Sequence, residues 1–388
     1  MRKGIFYQIS TALLSVILLL IIVKKYDTLD IANYFLMLST YSVVRLFVDY
    51  SFNLTGIRDI KVKKFEVYYF DVFIVKIFVA IIITAVLFVY WMITDSTFGD
   101  IPYFKEIFLI AVFNSLLDIH WIVYLKDLVV KYYKLYSIFK FLFLISVLFA
   151  DYDITTIAMI NILIDLLIGI WLTFIVMKDV NFIRFAPNGV RQHLSDGLLS
   201  GYKNFFSLSL ISIFTSSWIF FINTYSSQIM VAIYGLIEKI TRFAISFFTP
   251  LFNYMISGQN AKIFDKKFSH IILFVLLLLP SQIAYLVLIN TNFELFVNKN
   301  FYDYMPEIMI MLMVIPFYYY NGYFLTRSII MKTEIISLSF YVFSVTLLFL
   351  IFMIGTKIQI FYLPLSLEVI VLIINILFFR RINNEKTY

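Results

Sequence analysis

Apolar runs of about twenty residues recur along the chain from Gly4 to Phe379, separated by short polar and charged breaks. A helix of that length spans the hydrocarbon core of a bilayer, which is about 30 Å thick. The pattern therefore predicts about twelve membrane-spanning helices. We place them near 4–23, 31–50, 68–93, 104–124, 135–150, 154–177, 205–223, 230–256, 269–289, 305–325, 334–354 and 358–379. The fifth run is short and contains Lys140, so a count of about ten or eleven stays open.

Lys and Arg residues collect on alternate sides of this arrangement, as expected when basic loops remain in the cytoplasm. The basic side has the loops 58–64, 126–134, 178–203, 262–267 and 327–332, together with both chain termini. The other side has only Lys24, Lys25, Lys105, Lys299 and Lys357, accompanied by several acidic residues. This alternation predicts an even number of spans and two cytoplasmic termini.

Composition narrows the class of protein further. Hydrophobic residues make up 62% of the chain, against about 45–50% in soluble domains. The long uninterrupted runs favour closed helices over the alternating segments of an outer-membrane barrel, so the predicted fold is all-α. The net charge of +7 is explained by cytoplasmic loops, and no nucleic-acid partner is predicted.

Common catalytic and cofactor motifs are missing from the sequence. The chain has no cysteine and three histidines without ligand spacing, so we predict neither a disulfide nor a metal site. It has no Walker-type phosphate loop, no Gly-x-Ser-x-Gly elbow and no His-Glu-x-x-His helix. We therefore predict a protein that is not an enzyme and has no cofactor.

The longest connection divides the chain into two predicted halves. It runs from Lys178 to Asn204 and contains the turn residues Pro187, Asn188 and Gly189, followed by a stretch suited to a membrane surface. The predicted domains are a six-helix bundle over 1–177, a cytoplasmic linker with an interfacial helix over 178–204, and a second six-helix bundle over 205–388. Arg45 and Arg242 are 197 positions apart, which is the offset expected of an internal repeat.

Charged residues inside the predicted spans are the main functional signal, because each costs about 2.5–3.5 kcal/mol at the centre of a spanning helix. They are Arg45, Asp49, Asp71, Lys76, Asp118, His120, Lys140, Asp165, Glu238, Lys239, Arg242 and Glu368. They predict a polar interior. Arg45 with Asp49, and Glu238 with Arg242, are four residues apart, so each pair could also form a purely structural ion pair on one helical face. Lys239 leaves the eighth predicted span with an excess of positive charge. Because the chain has only eleven glycines, little close helix packing of the Gly-x-x-x-Gly sort is expected.

Two stretches resemble a known family. Residues 45–61 read RLFVDYSFNLTGIRDIK, and residues 225–262 contain a Glu-Lys pair, an arginine and a late proline at Glu238, Lys239, Arg242 and Pro250. Both stretches are similar to Wzx-type O-antigen flippases, the polysaccharide transporters of the multidrug/oligosaccharidyl-lipid/polysaccharide exporter superfamily. Asp49, Phe52, Asn53, Leu54 and Arg58 match the family pattern, while Ser51 replaces the usual glycine.

The resemblance implies two six-helix bundles around a central cavity in a bacterial inner membrane. It implies translocation of an undecaprenyl-pyrophosphate-linked oligosaccharide from the cytoplasmic to the outer leaflet by alternating access. The implied partners are this lipid-linked oligosaccharide and membrane lipids, with a polysaccharide polymerase and a chain-length regulator as further candidates.

Three sets of candidate site residues follow from combining this resemblance with the intramembrane charges. The predicted substrate-binding residues are Arg45, Lys76, Lys239 and Arg242, the ion-coupling candidates are Asp49, Asp118 and Glu238, and the cytoplasmic-mouth motif contains Asn53 and Arg58. Two alternatives remain. One is a membrane-embedded O-antigen polymerase, although the long loop here is predicted on the cytoplasmic side. The other is a drug or cation exporter of the same superfamily.

Overall fold

Helices form all the regular structure that a computed structural model describes for this chain. The described residues are 2–50, 52, 65–94, 102–125, 128–178, 190–215, 218–225, 227–246, 304, 308, 312–330, 339–344, 346 and 362–385. No β-strand occurs among them. The predicted all-α fold is therefore confirmed for this part of the chain.

Twelve helices have bounds within these residues. They are α1 Arg2–Lys25, α2 Thr28–Asp49, α3 Phe65–Thr94, α4 Phe104–Leu117, α5 His120–Leu125, α6 Val129–Phe149, α7 Ile154–Met177, α8 Val190–Thr215, α9 Trp218–Tyr225, α10 Gln228–Ser246, α11 Val314–Ile330 and α12 Tyr362–Glu385.

Among the described residues, six helical stretches are long and apolar enough to cross a membrane, judged by length and composition. They are Phe6–Lys25, Thr28–Asp49, Val67–Val89, Phe104–Val123, Val129–Phe149 and Ile154–Met177. They coincide with the first six predicted spans, and the fifth is six residues longer at its start than the apolar run around Lys140 suggests. The predicted span 269–289 lies outside the described residues, and the total of twelve spans stays a prediction.

The chain divides into two compact units, Met1–Leu18 with Tyr26–Ala232 and Leu19–Lys25 with Ile233–Tyr388. In the first unit, α2 packs against α3, α4, α7 and α8, and it contributes many of the fully buried side chains. In the second unit, α11 packs against α12. Helix α8 begins inside the predicted linker and belongs to the first unit. The predicted domain boundaries stay a prediction.

Acidic side chains begin two of the central helices. The Asp27 carboxylate accepts a hydrogen bond of 2.9 Å from the Asp30 amide at the start of α2. Asp153 does the same for α7, since it accepts from the Thr156 amide at 3.2 Å. Hydrogen bonds from the hydroxyls of Thr155 and Thr156 hold the pKa of the Asp153 carboxyl below its usual value. Both carboxylates satisfy amide donors that a helix start leaves without intrahelical partners.

Two glycines on α8 bring its backbone close to the rest of the first unit. A Cβ atom on Gly197 would lie 2.6 Å from the Val75 Cγ2 atom and 3.1 Å from the Asp71 carbonyl oxygen on α3, and one on Gly201 would lie 3.0 Å from the Tyr50 ring. Tyr50 ends α2 with a φ of 50° and stacks on Phe205 of α8 at 4.4 Å. The expectation of little close helix packing is therefore wrong for this interface, because Gly197 and Gly201 are four residues apart on one helical face.

Candidate functional site

Arg45 is the centre of a buried ionic cluster in the first unit. From α2 it forms an ion pair with Asp118, the residue that follows α4. Its other terminal nitrogen lies 3.7 Å from Asp165 on α7. The side chains of Arg45, Asp118 and Asp165 are 29%, 12% and 21% exposed. The sequence suggested Asp49 as the partner of Arg45, whereas the structure gives Arg45 two partners from other helices.

Two tyrosines and an amide complete the hydrogen bonds around Asp165. Tyr136 on α6 donates to one oxygen of the Asp165 carboxylate, and Tyr41 on α2 donates to the other at 3.3 Å. The Tyr41 hydroxyl itself accepts from Arg45 at 3.3 Å and from the Asn114 amide. Four helices, α2, α4, α6 and α7, therefore contribute to one connected polar network.

Lys76 is held by a second set of contacts beside this network. Its ammonium lies 2.8 Å from the Asp49 carboxylate and donates to the carbonyl oxygens of Ser115 at 3.2 Å and Asp118 at 2.6 Å. The Lys76 side chain is 1% exposed. Its three donors and its burial give it a structural role at the end of α4, where a cation also complements the helix dipole.

The fourth predicted span is broken where these contacts meet. Helix α4 ends at Leu117 and α5 begins at His120. The Asp118 carboxylate accepts from the His120 amide at 3.1 Å, and the Ser115 hydroxyl donates to the Arg45 carbonyl at 3.0 Å. The side chains of Lys76 and Asp118 thus satisfy backbone groups at this interruption. Broken helices with charged partners mark binding sites in many transporters.

Lys140 contributes a third buried cation to the first unit. From α6 it donates to the Asn161 side-chain oxygen on α7, and its ammonium lies 5.3 Å from the centre of the Tyr136 ring. The sequence analysis identified Lys140 and Asp165 as charged residues inside predicted spans, but it assigned neither residue a role. Their roles depend on which helices are neighbours, which spacing along one helix does not reveal.

The charges of these clusters cancel. Arg45, Lys76 and Lys140 provide three positive charges, and Asp49, Asp118 and Asp165 provide three negative charges, so these six groups sum to zero. The ion-coupling candidates Asp49 and Asp118 are therefore each in contact with a basic side chain. An anion that binds Arg45 must compete with its two carboxylate partners.

His120 contacts aromatic side chains in the first unit. Its Nε2 atom is 3.0 Å from the Tyr133 hydroxyl, and its ring meets the Tyr132 ring edge-on at 5.2 Å. This geometry favours the interpretation of His120 as a hydrogen-bonded packing residue over that of a proton relay.

The second unit has a cationic group on α10. Arg242 forms an ion pair of 2.6 Å with Glu238, four residues earlier on the same helix, as the sequence spacing predicted. The Arg242 side chain is 44% exposed and the Glu238 side chain 11%. Within the described part of the chain, Lys239 has no ion pair. Glu238, Lys239 and Arg242 together therefore carry a net positive charge, and the guanidinium of Arg242 is half-exposed.

Both residues of the predicted cytoplasmic-mouth motif, Asn53 and Arg58, lie outside the described residues. Phe52, which also matches the family pattern, is 1% exposed, and its ring centre lies 5.8 and 6.5 Å from those of Tyr50 and Tyr68.

Comparisons with known proteins identify a fold and no family. No protein-family model and no curated protein match the chain. The chain is similar to a solved structure described as the outward-facing conformation of a multidrug resistance MATE family transporter of the MOP superfamily. The TM-score is 0.58 at 13% sequence identity, and the match covers 100% of this chain and 96% of that chain. The chain therefore shares the fold of that solved structure.

Proposed function

We propose that this protein is a flippase that moves an undecaprenyl-pyrophosphate-linked oligosaccharide from the cytoplasmic to the outer leaflet by alternating access. The observation that carries the proposal is the positive charge of Lys239 and the half-exposed Arg242 on α10, in a chain with a transporter fold. A lipid-linked pyrophosphate is an anion that such a group attracts.

This substrate needs a protein to cross the membrane, because its sugar part is costly to move through hydrocarbon. An oligosaccharide carries many hydroxyl groups, and each one left unpaired in hydrocarbon costs roughly 2–7 kcal/mol. Charged and polar side chains inside a helical protein remove most of that cost. The lipid tail can remain in the bilayer while the sugar crosses.

Arg242 is suited to the pyrophosphate because its guanidinium has five hydrogen-bond donors in a planar fork. Glu238 contacts one terminal nitrogen of Arg242 at 2.6 Å, and a guanidinium can bind phosphate oxygens through more than one N–H group. Lys239 follows directly in the sequence and adds a second charge. Glu238 holds Arg242 in place before the substrate arrives.

In the first unit, we assign Arg45 a secondary substrate role and Lys76 a positioning role. Arg45 is partly exposed and shared between Asp118 and Asp165, so an anionic group could replace one carboxylate. Lys76 is 1% exposed and fully engaged with Asp49 and the end of α4. It supports the broken span that places Asp118 beside Arg45.

The cellular setting follows from the same proposal. The protein lies in a bacterial inner membrane with both termini in the cytoplasm. A polysaccharide polymerase and a chain-length regulator would use the units it delivers.

The test is surface polysaccharide in cells whose chromosomal copy is replaced by Arg242→Ala, Arg242→Lys or Lys239→Gln. We expect a loss of about tenfold or more for Arg242→Ala, partial function for Arg242→Lys because lysine lacks the planar fork, and a smaller loss for Lys239→Gln. Arg191→Ala, which removes an exposed charge on α8, is the matched control. Normal polymer with Arg242→Ala at wild-type protein level would remove Arg242 from the mechanism.

A second candidate function is export of a drug. The fold comparison supports it, because the similar solved structure is a multidrug resistance transporter. Resistance and dye-efflux assays distinguish the two functions. An exporter lowers cellular drug accumulation without changing surface polysaccharide, and a flippase does the reverse.

A further inference from the structure

The second unit contains a buried carboxyl group that the proposed substrate site does not use. Glu368 on α12 is 1% exposed. Three polar side chains lie beside it, Asn321 on α11, Tyr341 in the helical segment 339–344, and Asn375 on α12, and these are 0%, 8% and 0% exposed. The sequence marked Glu368 as an intramembrane charge and assigned it no role.

Hydrogen bonds fix this group in one arrangement. The Asn321 amide nitrogen donates to the Glu368 Oε2 atom at 2.6 Å and to the Glu368 carbonyl oxygen at 2.9 Å. The Tyr341 hydroxyl donates to the same Oε2 atom at 3.3 Å. The Asn375 amide donates to the Asn321 side-chain oxygen at 3.2 Å, which directs the Asn321 nitrogen toward the carboxyl group.

Glu368 differs from the carboxylates chosen from the sequence as ion-coupling candidates. Asp49, Asp118 and Glu238 each contact a basic side chain. Within the described residues, the groups that act on Glu368 are Asn321 and Tyr341, and neither is basic. A buried carboxylate without a cation is costly and usually becomes neutral by binding a proton.

The neighbours of Glu368 favour a proton over a metal ion. Na⁺ and similar hard cations need several oxygen lone pairs. Within the described residues, the two side chains that face the carboxyl group present N–H and O–H donors, and the Asn321 oxygen accepts from Asn375. Both of these donors contact the Oε2 atom of Glu368.

We propose that Glu368, held by Asn321 and Tyr341, is a proton-binding site of the second unit. The link between this proton and transport rests on the proposed function, whereas proton binding by Glu368 does not.

Infrared spectroscopy of the full-length protein in lipid tests proton binding without any substrate. We expect a pH-dependent carbonyl band of a protonated carboxylic acid that is lost in Glu368→Gln and kept in Glu106→Gln, a control at an exposed position on α4. The midpoint of this titration should move to higher pH by about one unit in Asn321→Leu and by less in Tyr341→Phe, because each removes a donor to the charged form. A wild-type band unaffected by Glu368→Gln would overturn the proposal, and the two donor variants test it again if Glu368→Gln does not fold.

Transport in proteoliposomes tests the link. Stimulation of oligosaccharide movement by a pH gradient should be lost in Glu368→Gln, while movement without a gradient continues. Gradient stimulation that survives Glu368→Gln contradicts the link between this carboxyl group and transport. A Glu368 band that titrates in a protein that moves no oligosaccharide supports the proton site and contradicts the proposed function, so the two failures are distinct.

Discussion

Arg45 illustrates how single residues behave in this protein. Its guanidinium is shared between Asp118 and Asp165, and Tyr41 and Asn114 support the second carboxylate. Removing Arg45 leaves two buried carboxylates without their cation. Removing the charge of Asp118 leaves Arg45 with Asp165. The two changes therefore have unequal consequences.

We predict that Arg45→Ala lowers the free energy of unfolding by about 3 kcal/mol, whereas Asp118→Asn lowers it by about 1 kcal/mol. Thermal unfolding of the purified protein in detergent measures the difference. Equal losses in the two variants would show that Asp165 does not share the guanidinium.

At the scale of single residues, the sequence identified the buried charged residues but suggested the wrong partner for Arg45. Spacing along one helix suggested Arg45 with Asp49 and Glu238 with Arg242, and only the second pair forms as predicted. The partners of Arg45 lie 73 and 120 positions away along the chain (118 − 45 and 165 − 45). Such pairs depend on how helices pack, which hydropathy does not encode.

Individual helices were more predictable than their contacts. Long apolar runs gave the first six spans because each must satisfy its backbone within lipid. The break between α4 and α5 at residues 118–119 was not visible, since apolar residues continue on both sides of Asp118. The close approach of α8 was missed because the expectation depended on the number of glycines rather than on the spacing of Gly197 and Gly201.

The α8 interface yields a prediction about packing. Gly197→Ala places a Cβ atom 2.6 Å from Val75 Cγ2 and should lower the free energy of unfolding by about 1–3 kcal/mol. Adding Val75→Ala should recover part of this loss, and Leu199→Ala, at a 67% exposed position, is the control with little effect. Thermal unfolding of the wild-type protein, Gly197→Ala, the double variant Gly197→Ala with Val75→Ala, and Leu199→Ala measures these differences in the free energy of unfolding. A Gly197→Ala protein as stable as wild type would mean that the helices are not in close contact there.

At the scale of the whole molecule, the described charged groups of the two units differ in how they are paired. The clusters of the first unit are internally neutral, while α10 of the second unit keeps a positive excess and α12 of that unit holds a buried acid without a described cation. We assign anion binding to the second unit for this reason. The positive excess around Lys239 was predicted from the sequence. The surroundings of Glu368 could be recognised only from its three-dimensional contacts with Asn321 and Tyr341.

Translocation by the purified protein is the most direct test of the proposed function. Lipid-linked oligosaccharide is incorporated into both leaflets of proteoliposomes, and a membrane-impermeant glycosidase cleaves what reaches the outer surface. We predict that wild-type protein exposes the inner-leaflet pool to the enzyme, and that Arg242→Ala exposes it at least tenfold more slowly, by analogy with lost charge-assisted contacts to phosphate. A correctly folded wild-type protein that leaves the inner pool protected would contradict the account.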